Sequence, residues 1–319
     1  MKQLKLTLAL ALGSAVALTS VSAQAQDKYP DRPIELIVTF GPGGGADTMG
    51  RKMSQLLEKS FKVPVPVSNV GGASGNAGLN KLLAAPADGY TAGTLIALTV
   101  SSWAAGIGTA KASDFSIAAI TQDSPSMIFV AVDSPHKTFK EFLAFAKANP
   151  NKLKIATSGY GTQDDITIKY LASNGYPMTN VPFAKPAERY ASPLGKHTDA
   201  IYEEPGDVGA FLKSNKMRPL VVFDDVRHPS FPDVPTSKEL GFEISDLPNF
   251  RSIAVSSKTS PEKLQALSAA VNAALATPEW KKFCADTYTC ASRSYTPVEA
   301  QKYVSEFQTK VSNYLKSFK

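Results

Sequence analysis

The 319-residue chain has few of the residues that build metal centres. It contains two cysteines and three histidines, and His136, His197 and His228 lie far from the cysteines and from one another. A structural zinc site needs four such ligands held together. The sequence therefore indicates no bound metal.

The chain also lacks a basic run. Its 34 lysines and arginines outnumber its 28 aspartates and glutamates by six, but they are scattered along the sequence. Nucleic-acid-binding proteins present a basic patch interleaved with aromatic side chains. No such patch is visible, so we expect no nucleic-acid partner. The weak positive charge suits attraction of small anions instead.

Long apolar runs are missing except at the start of the chain. Lys2 and Lys5 precede the apolar range Leu6–Leu18, and Ala23–Ala25 has the A-x-A form of a cleavage site. The run is shorter than the roughly 20 residues that a membrane-spanning helix needs. We interpret residues 1–25 as a secretory signal peptide cleaved near Ala25, and we expect no membrane span after it.

The two cysteines, Cys284 and Cys290, lie close together in the segment KKFCADTYTC. In the oxidising compartment that an exported protein reaches, such a pair can close a small disulfide. We favour this disulfide over two free thiols. It would pin the chain between the last helices and carry no chemistry.

Apolar runs alternate with helical patterns over most of the length, which predicts α/β units with largely parallel sheets. Capping signals predict helices at Phe139–Ala148, at Lys263–Ala276 and from Thr296 to about Lys316. The predicted strands are Ile34–Phe40, Val63–Val67, Thr91–Leu98, Ser126–Val132, Leu153–Thr157, Ala200–Tyr202, Leu220–Phe223 and Ile253–Ser256.

Proline-rich segments at Asp123–Pro125 and Arg227–Pro235 mark the places where we expect the chain to cross between two lobes. The first lobe is then discontinuous, with residues 27–122 plus 228–319. It encloses a second lobe of residues 123–227. Two lobes with a cleft between them suit hinge closure around a ligand.

The most informative segment is Ile34–Gly50, where an apolar run ends in a proline–glycine loop and a helix follows. Backbone N–H groups of such a loop and of the first helical turn form an anion site. A dinucleotide site would need an acid at the end of the second strand, where Asn69 stands. A phosphate-binding NTPase loop would need a lysine followed by Ser or Thr, where the chain has Arg51 and Lys52. We therefore expect no cofactor.

A hydrolase is the alternative that remains open. Gly72–Asn76 nearly matches the G-x-S-x-G nucleophile turn, with Ser74 at its centre, but Asn76 replaces the last glycine. No histidine has a visible pairing with it. The retained alternative is an exported α/β hydrolase that acts on small esters through Ser74 or Ser158.

A binding protein needs only donors aimed at a carboxylate, and three loops supply them. These are Gly41–Asp47, Gly71–Asn76 and Thr157–Thr162. Each follows a predicted strand, where open α/β sheets place their ligands. Facing loops from two lobes would hold the two ends of one acid.

Four segments, in their order and spacing, resemble the substrate-binding receptors of tripartite tricarboxylate transporters, the Bug family of periplasmic proteins. They are YPDRPIELIVTFGPGGGADTMGRKMS, GGASGNAGLNKLLAAPADGYT, TSGYGT and FPDVPTSKELGF, and the similarity runs from Tyr29 to the C-terminus. The resemblance implies a type II Venus flytrap, each lobe a mostly parallel sheet flanked by helices. It implies a non-enzymatic periplasmic receptor that captures a small organic carboxylate (a di- or tricarboxylate or an aromatic acid) in the interlobe cleft. Delivery to membrane permease subunits follows, and we expect a monomer.

Carried over by position, the resemblance implies ligand-binding residues in the three loops and in the second lobe. A helix-capping role is an equal alternative for Asp47, and caps are also an alternative for Ser158 and Thr162. The expected binding residues are Pro42, Gly43, Gly44, Asp47, Ala73, Ser74, Asn76, Ser158, Gly159, Thr162, Phe183, Asp199 and Tyr202.

The chain departs from the family pattern after Phe183. Many relatives have a glycine-rich turn and then a Gly-Gly-x-Val-Asp stretch, where this chain has AKPAERYASPLGKHTDAIYEEPGDV. Glu203 and Glu204 repel a carboxylate at close range. Two alternatives are that one of them receives an ammonium or hydroxyl group of the ligand or that it caps the helix through Pro205–Lys213, and we favour capping or exposure for at least one of the pair. Arg51, Arg189 and Arg251 could each pair with a carboxylate, but we expect a solvated or structural role for each of them.

Overall fold

The computed structural model describes residues 29–245, 247–291 and 293–317. The predicted signal peptide and its cleavage site lie outside these residues. No helix in the described part of the chain is both long and apolar enough to cross a membrane.

The described residues form two five-stranded sheets flanked by helices. The strands are β1 Glu35–Val38, β2 Val67–Asn69, β3 Thr91–Ile96, β4 Phe115–Ser124, β5 Met127–Ala131, β6 Lys154–Thr157, β7 Thr179–Pro182, β8 Ala200–Glu203, β9 Met217–Val222 and β10 Asn249–Ser256. The helices are α1 Gly45–Phe61, α2 Asn76–Ala84, α3 Ala97–Ala104, α4 Phe139–Ala148, α5 Gln163–Ser173, α6 Pro186–Ala191, α7 Gly209–Lys213, α8 Pro261–Ala276, α9 Pro278–Thr287 and α10 Pro297–Ser317.

Each sheet has four strands in one direction and one reversed strand. The first sheet has the order β2-β1-β3-β10-β4, with β10 antiparallel to both neighbours. The second has the order β7-β6-β8-β5-β9, with β5 reversed in the same way. Each reversed strand is the first that the chain forms after passing between sheets. Because the other strands end at the cleft, a strand that starts there must run the opposite way.

The first sheet is covered by helices on both faces. Leu36 and Ile37 are adjacent in β1 and fully buried, and their side chains enter two different apolar clusters. Successive strand residues point to opposite faces. One cluster includes residues of α1 and α8, and the other includes residues of α2, α3 and α10. Burial on both faces explains why the strands read as continuous apolar runs.

Local capping chemistry sets the starts of α4 and α10 as the sequence predicts, whereas the Ser260 side chain makes no capping bond at α8. Thr138 accepts a hydrogen bond from the Glu141 N–H at 3.2 Å, and the Glu141 carboxylate accepts from the Thr138 N–H at 3.1 Å. Thr296 and Glu299 exchange the same pair of bonds at the start of α10. Two such bonds satisfy N–H groups that the helix itself leaves free.

The chain passes from the first sheet to the second between β4 and β5, and it returns between β9 and β10. The returning segment stays close to the second sheet at first, since Thr236 forms a parallel bridge with Val222. The predicted lobes, residues 27–122 plus 228–319 and residues 123–227, stay a prediction.

Candidate functional site

A small cavity of about 40 Å³ lies between the two sheets. At about 10–15 Å³ for each water, it has room for roughly three water molecules. It lies at the carboxyl ends of β1, β3, β6, β7 and β8 and at the start of β10. Its walls are formed by Phe40, Gly44, Gly45, Ala46, Ile96, Leu98, Ser158, Phe183, Ala184, Pro186, Arg189, Tyr190, Glu203, Asp207, Asn249 and Arg251.

The lobe that contains the first sheet contributes the start of α1 to this cavity. Gly44 is the N-cap in an extended conformation and has no side chain to cap the helix. The N–H groups of the first helical turn have no partner within the helix. They also carry the positive end of the helix dipole. Because Gly44, Gly45 and Ala46 line the cavity, this turn supplies backbone donors suited to an anion.

Asp47 holds the loop before α1 in place. Its carboxylate accepts hydrogen bonds from the Gly43 N–H at 2.9 Å, from Arg51 Nε at 3.1 Å and from Asn69 Nδ2 at 2.9 Å. Burial alone raises the pKa of Asp47, but these three donors outweigh it and hold the pKa below its usual value. The carboxylate is therefore ionised at neutral pH and engaged within its own lobe.

The two lobes touch closely at the glycine loops. A Cβ on Gly45 would overlap the Arg251 guanidinium and the Asp207 carboxylate, and one on Gly44 would come within 3.0 Å of Pro186. A Cβ on Gly159 in the second lobe would lie 3.5 Å from Ser74 Oγ in the first. Only hydrogen at the α-carbon of Gly45 permits this approach, and a Cβ on Gly44 would be tight. Entry of a molecule larger than a few waters therefore requires the lobes to separate.

Five buried charged side chains meet at the cavity, and we call them the charge cluster: Arg189, Glu203, Glu204, Asp207 and Arg251. Arg189 pairs with Glu203. Arg251, on β10 of the first sheet, bonds Glu204 and also Asp207, the latter at 2.9 Å. All five side chains are at most 7% exposed. The cluster thus joins the two lobes through charge-assisted hydrogen bonds.

Burial dominates the protonation of the cluster. It raises the pKa of Glu204 to about 7 and raises the pKa of Glu203 well above its usual value, although the neighbouring arginines act in the opposite sense. For Arg189 and Arg251 burial favours the neutral form, but the adjacent carboxylates outweigh it and raise both pKa values. The arginines therefore stay charged, whereas both glutamates keep their protons to a higher pH than an ordinary glutamate does.

A metal is a poor match for these acids. One carboxylate oxygen from each of Glu203, Glu204 and Asp207 lies within 4.8 Å of the others. However, the Arg251 guanidinium already bonds two of them. A divalent cation would have to lie next to that fixed positive charge, so we assign no metal to the cluster.

The comparisons with known proteins agree with this architecture. A family model described as "Tripartite tricarboxylate transporter family receptor" matches residues 49–312. The chain belongs to this family. A protein from the gbd 5′ region of Cupriavidus necator is 30% identical over 301 residues, which cover 92% of this chain and 91% of that one. BugT of Bordetella pertussis is 26% identical over 272 residues, 83% of each chain.

Solved structures of periplasmic proteins share the fold. One described as a periplasmic transporter superposes with a TM-score of 0.84 at 25% identity, over 90% of this chain and 97% of that one. The periplasmic binding protein BugD gives 0.84 at 22% identity, over 91% and 98%. The predicted family and the two-lobed α/β fold are confirmed. Because the family consists of solute-binding receptors, the protein is a receptor and not an enzyme.

Three of the binding residues expected from the sequence line the cavity: Gly44, Ser158 and Phe183. Ser158 Oγ accepts a hydrogen bond from Arg189 Nη1 at 2.6 Å. A guanidinium cannot accept a proton, so it is no base for a serine nucleophile. This contact removes the chemistry that the hydrolase alternative would need at Ser158.

Other expected residues support the loops. Asn76 donates to the Ala73 carbonyl at 2.7 Å and to Ser102 at 3.1 Å, and accepts from Trp103 Nε1 at 2.7 Å. Pro42 and Gly43 precede the cavity-lining glycines. Ala73 and Ser74 have positive φ angles of 48° and 56°, a conformation that a side chain disfavours and that shapes the tight turn before α2.

In the second lobe, Thr162 is the N-cap residue of α5, and its hydroxyl donates to the Gly159 carbonyl at 2.6 Å. Asp199 accepts from the Lys154 N–H at 2.8 Å and is exposed. Tyr202 is buried in the apolar core against Phe223. Neither Asp199 nor Tyr202 lines the cavity.

The prediction that Glu203 or Glu204 would cap a helix or lie exposed was wrong. Glu203 and Glu204 are only 3% and 1% exposed. Helix α7 begins later, at Gly209, and its N-cap is Val208. The reason is that each carboxylate is paired with a buried arginine. Sequence alone gave no signal for these pairs, because Arg251 lies 47 residues after Glu204.

Proposed function

We propose that the receptor is exported to the periplasm and captures a small organic carboxylate between its lobes for a tripartite tricarboxylate-type permease. The observation that carries this proposal is the start of α1: Gly44–Ala46, whose backbone N–H groups have no partner within the helix, line a cavity between the two lobes. Backbone N–H groups at a helix N-terminus bind carboxylates without a dedicated cation.

Two further relatives support a carboxylate ligand. MatC from Rhodopseudomonas palustris is described with bound malate, and a second protein from that organism with adipate. Both superpose with a TM-score of 0.84, at 22% and 20% identity. The three predicted loops then hold the acid, with Gly43 and Gly44 on one side and Ser158 and Gly159 on the other. A di- or tricarboxylate or an aromatic acid is the proposed class.

A thermal-shift screen of the purified mature protein tests this proposal. The panel contains di-, tri- and aromatic carboxylic acids, with the matching amides as uncharged controls. At a ligand concentration of 100 times Kd, binding stabilises the folded state by about 2.7 kcal/mol. We expect a saturable rise in melting temperature for at least one acid and none for its amide. A panel without any saturable rise contradicts the carboxylate assignment.

Export and partner are tested separately. The mass of the protein recovered from the periplasmic fraction should correspond to a chain that begins at Gln26. Loss of the gene should abolish uptake of the identified acid by cells that retain the permease. Uptake that continues unchanged would contradict the delivery role.

A further inference from the structure

The charge cluster carries an excess of negative charge. Two guanidinium groups, Arg189 and Arg251, face the three carboxylates of Glu203, Glu204 and Asp207. With all five groups ionised, one negative charge is left unbalanced away from water. A buried charge of this kind must be matched by a counter-charge or neutralised by a proton.

Asn249 offers an independent sign of a ligand. It is 4% exposed and lines the cavity, and its Nδ2 donates to Glu204. With Glu204 ionised, that bond fixes which end of the amide is the donor. The other end, Oδ1, is buried with no partner among the described residues. A buried acceptor without a donor costs free energy, so it indicates an N–H or O–H group of a bound molecule.

The arginines are poorly placed to hold the carboxylate of a ligand. Arg251 uses its Nη atoms for Gln122, Glu204 and Asp207. Arg189 uses its own for Ser158 and Glu203. Each retains one buried, unpaired Nε–H. An arginine that binds a carboxylate usually donates two parallel N–H groups to it. In Arg189 and Arg251 these groups already donate to other residues of the protein.

The cavity instead presents acceptors beside donors. Glu203, Asp207 and Asn249 line it on one side, and the N–H groups of Gly44–Ala46 line it on another. Asp207 Oδ1 packs directly against Gly45. An ammonium group has three N–H donors and no acceptor, which matches these three side chains. A ligand that used both sets would carry its cation close to its carboxylate.

We propose that the ligand is a carboxylate that also bears a protonated amine, as an α-amino acid does. Its carboxylate binds the N–H groups that begin α1, and its ammonium binds among Glu203, Asp207 and Asn249. This inference rests on the proposed function, because it uses the same carboxylate site. It adds a substrate class that the excess negative charge selects.

Matched ligand pairs test the inference by titration calorimetry at pH 7: succinate with aspartate, glutarate with glutamate, and propionate with alanine. Members of a pair differ only by an ammonium in place of a hydrogen. We expect the amino member of at least one pair to bind ten-fold or more tightly than its partner. Equal or tighter binding by the plain acids overturns the inference and leaves the proposed function standing. Failure of all six also overturns it, and the proposed function falls only if the wider acid panel fails too.

The sign of proton transfer gives a second test that needs no variant. Burial raises the pKa of Glu203 and that of Glu204, the latter to about 7. The other titratable and charged groups around them are Asp207, Asp164, Tyr190, Arg189 and Arg251. An ammonium beside these carboxylates favours their ionised forms and releases protons, whereas an anion favours protonation. Titrations in phosphate and in Tris, whose ionisation enthalpies differ, should reveal more proton release, or less uptake, for the amino ligand than for its plain-acid partner. Equal proton transfer for the two members of a pair overturns the inference.

Asp207→Asn removes the excess charge while keeping the shape of the side chain. We expect the preference for the amino member to fall at least ten-fold. Glu188→Gln, an exposed change on α6, is the control and should retain the preference. An unchanged preference in folded Asp207→Asn overturns the inference. Stabilisation of the unliganded receptor by millimolar Ca²⁺, abolished in the same variant, would assign the acids to a metal and overturn it as well.

Discussion

Gln122 Nε2 donates a hydrogen bond of 2.5 Å to Thr289 Oγ1, across 167 positions of sequence. The other end of the same amide, Oε1, accepts from Arg251 Nη1 at 3.0 Å. Thr289 lies in the loop that the Cys284–Cys290 disulfide closes. The disulfide loop therefore supports the orientation of an arginine in the cavity, even though it touches no ligand site itself.

Thr289→Val should loosen this support. The change keeps the size of the side chain but leaves Gln122 Nε2 buried without a partner, which costs about 1–3 kcal/mol of folding free energy. We expect ligand affinity to fall roughly five-fold as Arg251 loses its fixed neighbour. Urea unfolding and calorimetry measure the two effects. Thr309→Val, exposed on α10, is the matched control and should change stability by less than about 0.5 kcal/mol.

Replacing both Cys284 and Cys290 with alanine should destabilise the receptor by about 2 kcal/mol, since a short closed loop restricts the unfolded chain modestly. The larger effect should be on the cleft. The Asp286 carbonyl accepts from Lys213 Nζ at 3.2 Å, so the loop also contacts α7 of the second lobe, and the Tyr288 carbonyl lies 3.3 Å from His228 Nε2. Wild-type protein melted in reductant should match the double variant. Identical affinity in oxidised and reduced protein would contradict a supporting role.

Gly45→Ala should abolish ligand capture while leaving each lobe folded. The added methyl group overlaps the Arg251 guanidinium in its own lobe and the Asp207 carboxylate of the opposite lobe, so the Arg251 side chain has to shift and the lobes cannot close fully. Small-angle scattering with and without ligand should show closure in the wild type and none in the variant. Gly209→Ala is the control, because its added Cβ meets only Tyr288 at 3.7 Å, an ordinary contact distance. Normal closure in Gly45→Ala would show that the close approach is not required.

Sequence patterns predicted the strands whose apolar runs are clear and missed those without a pattern. Nearly all residues of β4 are buried, so its sequence shows no alternation of apolar and polar residues. The short edge strand β7 is half-buried and ends in Pro182. The predicted range Val63–Val67 begins too early, because Pro64 and Pro66 have no N–H for the ladder, and pairing starts at Val67.

The candidate site, like the fold, could be predicted only in part from the sequence. The glycine loops were predictable, because tight turns and helix starts are local in sequence. The charge cluster was not, since Arg251 on β10 meets Glu204 and Asp207 only after the chain returns from the second sheet. Burial of an ion pair depends on tertiary packing, and an arginine in a strand carries no local mark of its partner.

The Glu204 pKa predicts how stability should vary with pH. Burial raises this pKa to about 7 in the folded receptor, from 4.5 for the ordinary side chain. Between these values the folded state holds more protons than the unfolded state, so the free energy of unfolding falls as pH rises. The slope is at most about 1.4 kcal/mol per pH unit for one group. His136 and His228, whose pKa values burial lowers, act in the opposite sense below pH 6.5.

Glu204→Gln isolates this effect, because the histidines contribute equally to both proteins. The neutral amide resembles the protonated acid, so the variant should match the wild type near pH 5. At pH 8 it should be more stable by about 2–3 kcal/mol, since the wild type then holds an additional buried charge. Urea unfolding from pH 5 to pH 8 measures the difference, with Glu188→Gln as the exposed control that stays parallel to the wild type. A difference that does not change with pH would mean that Arg251 and Asn249 keep Glu204 ionised throughout.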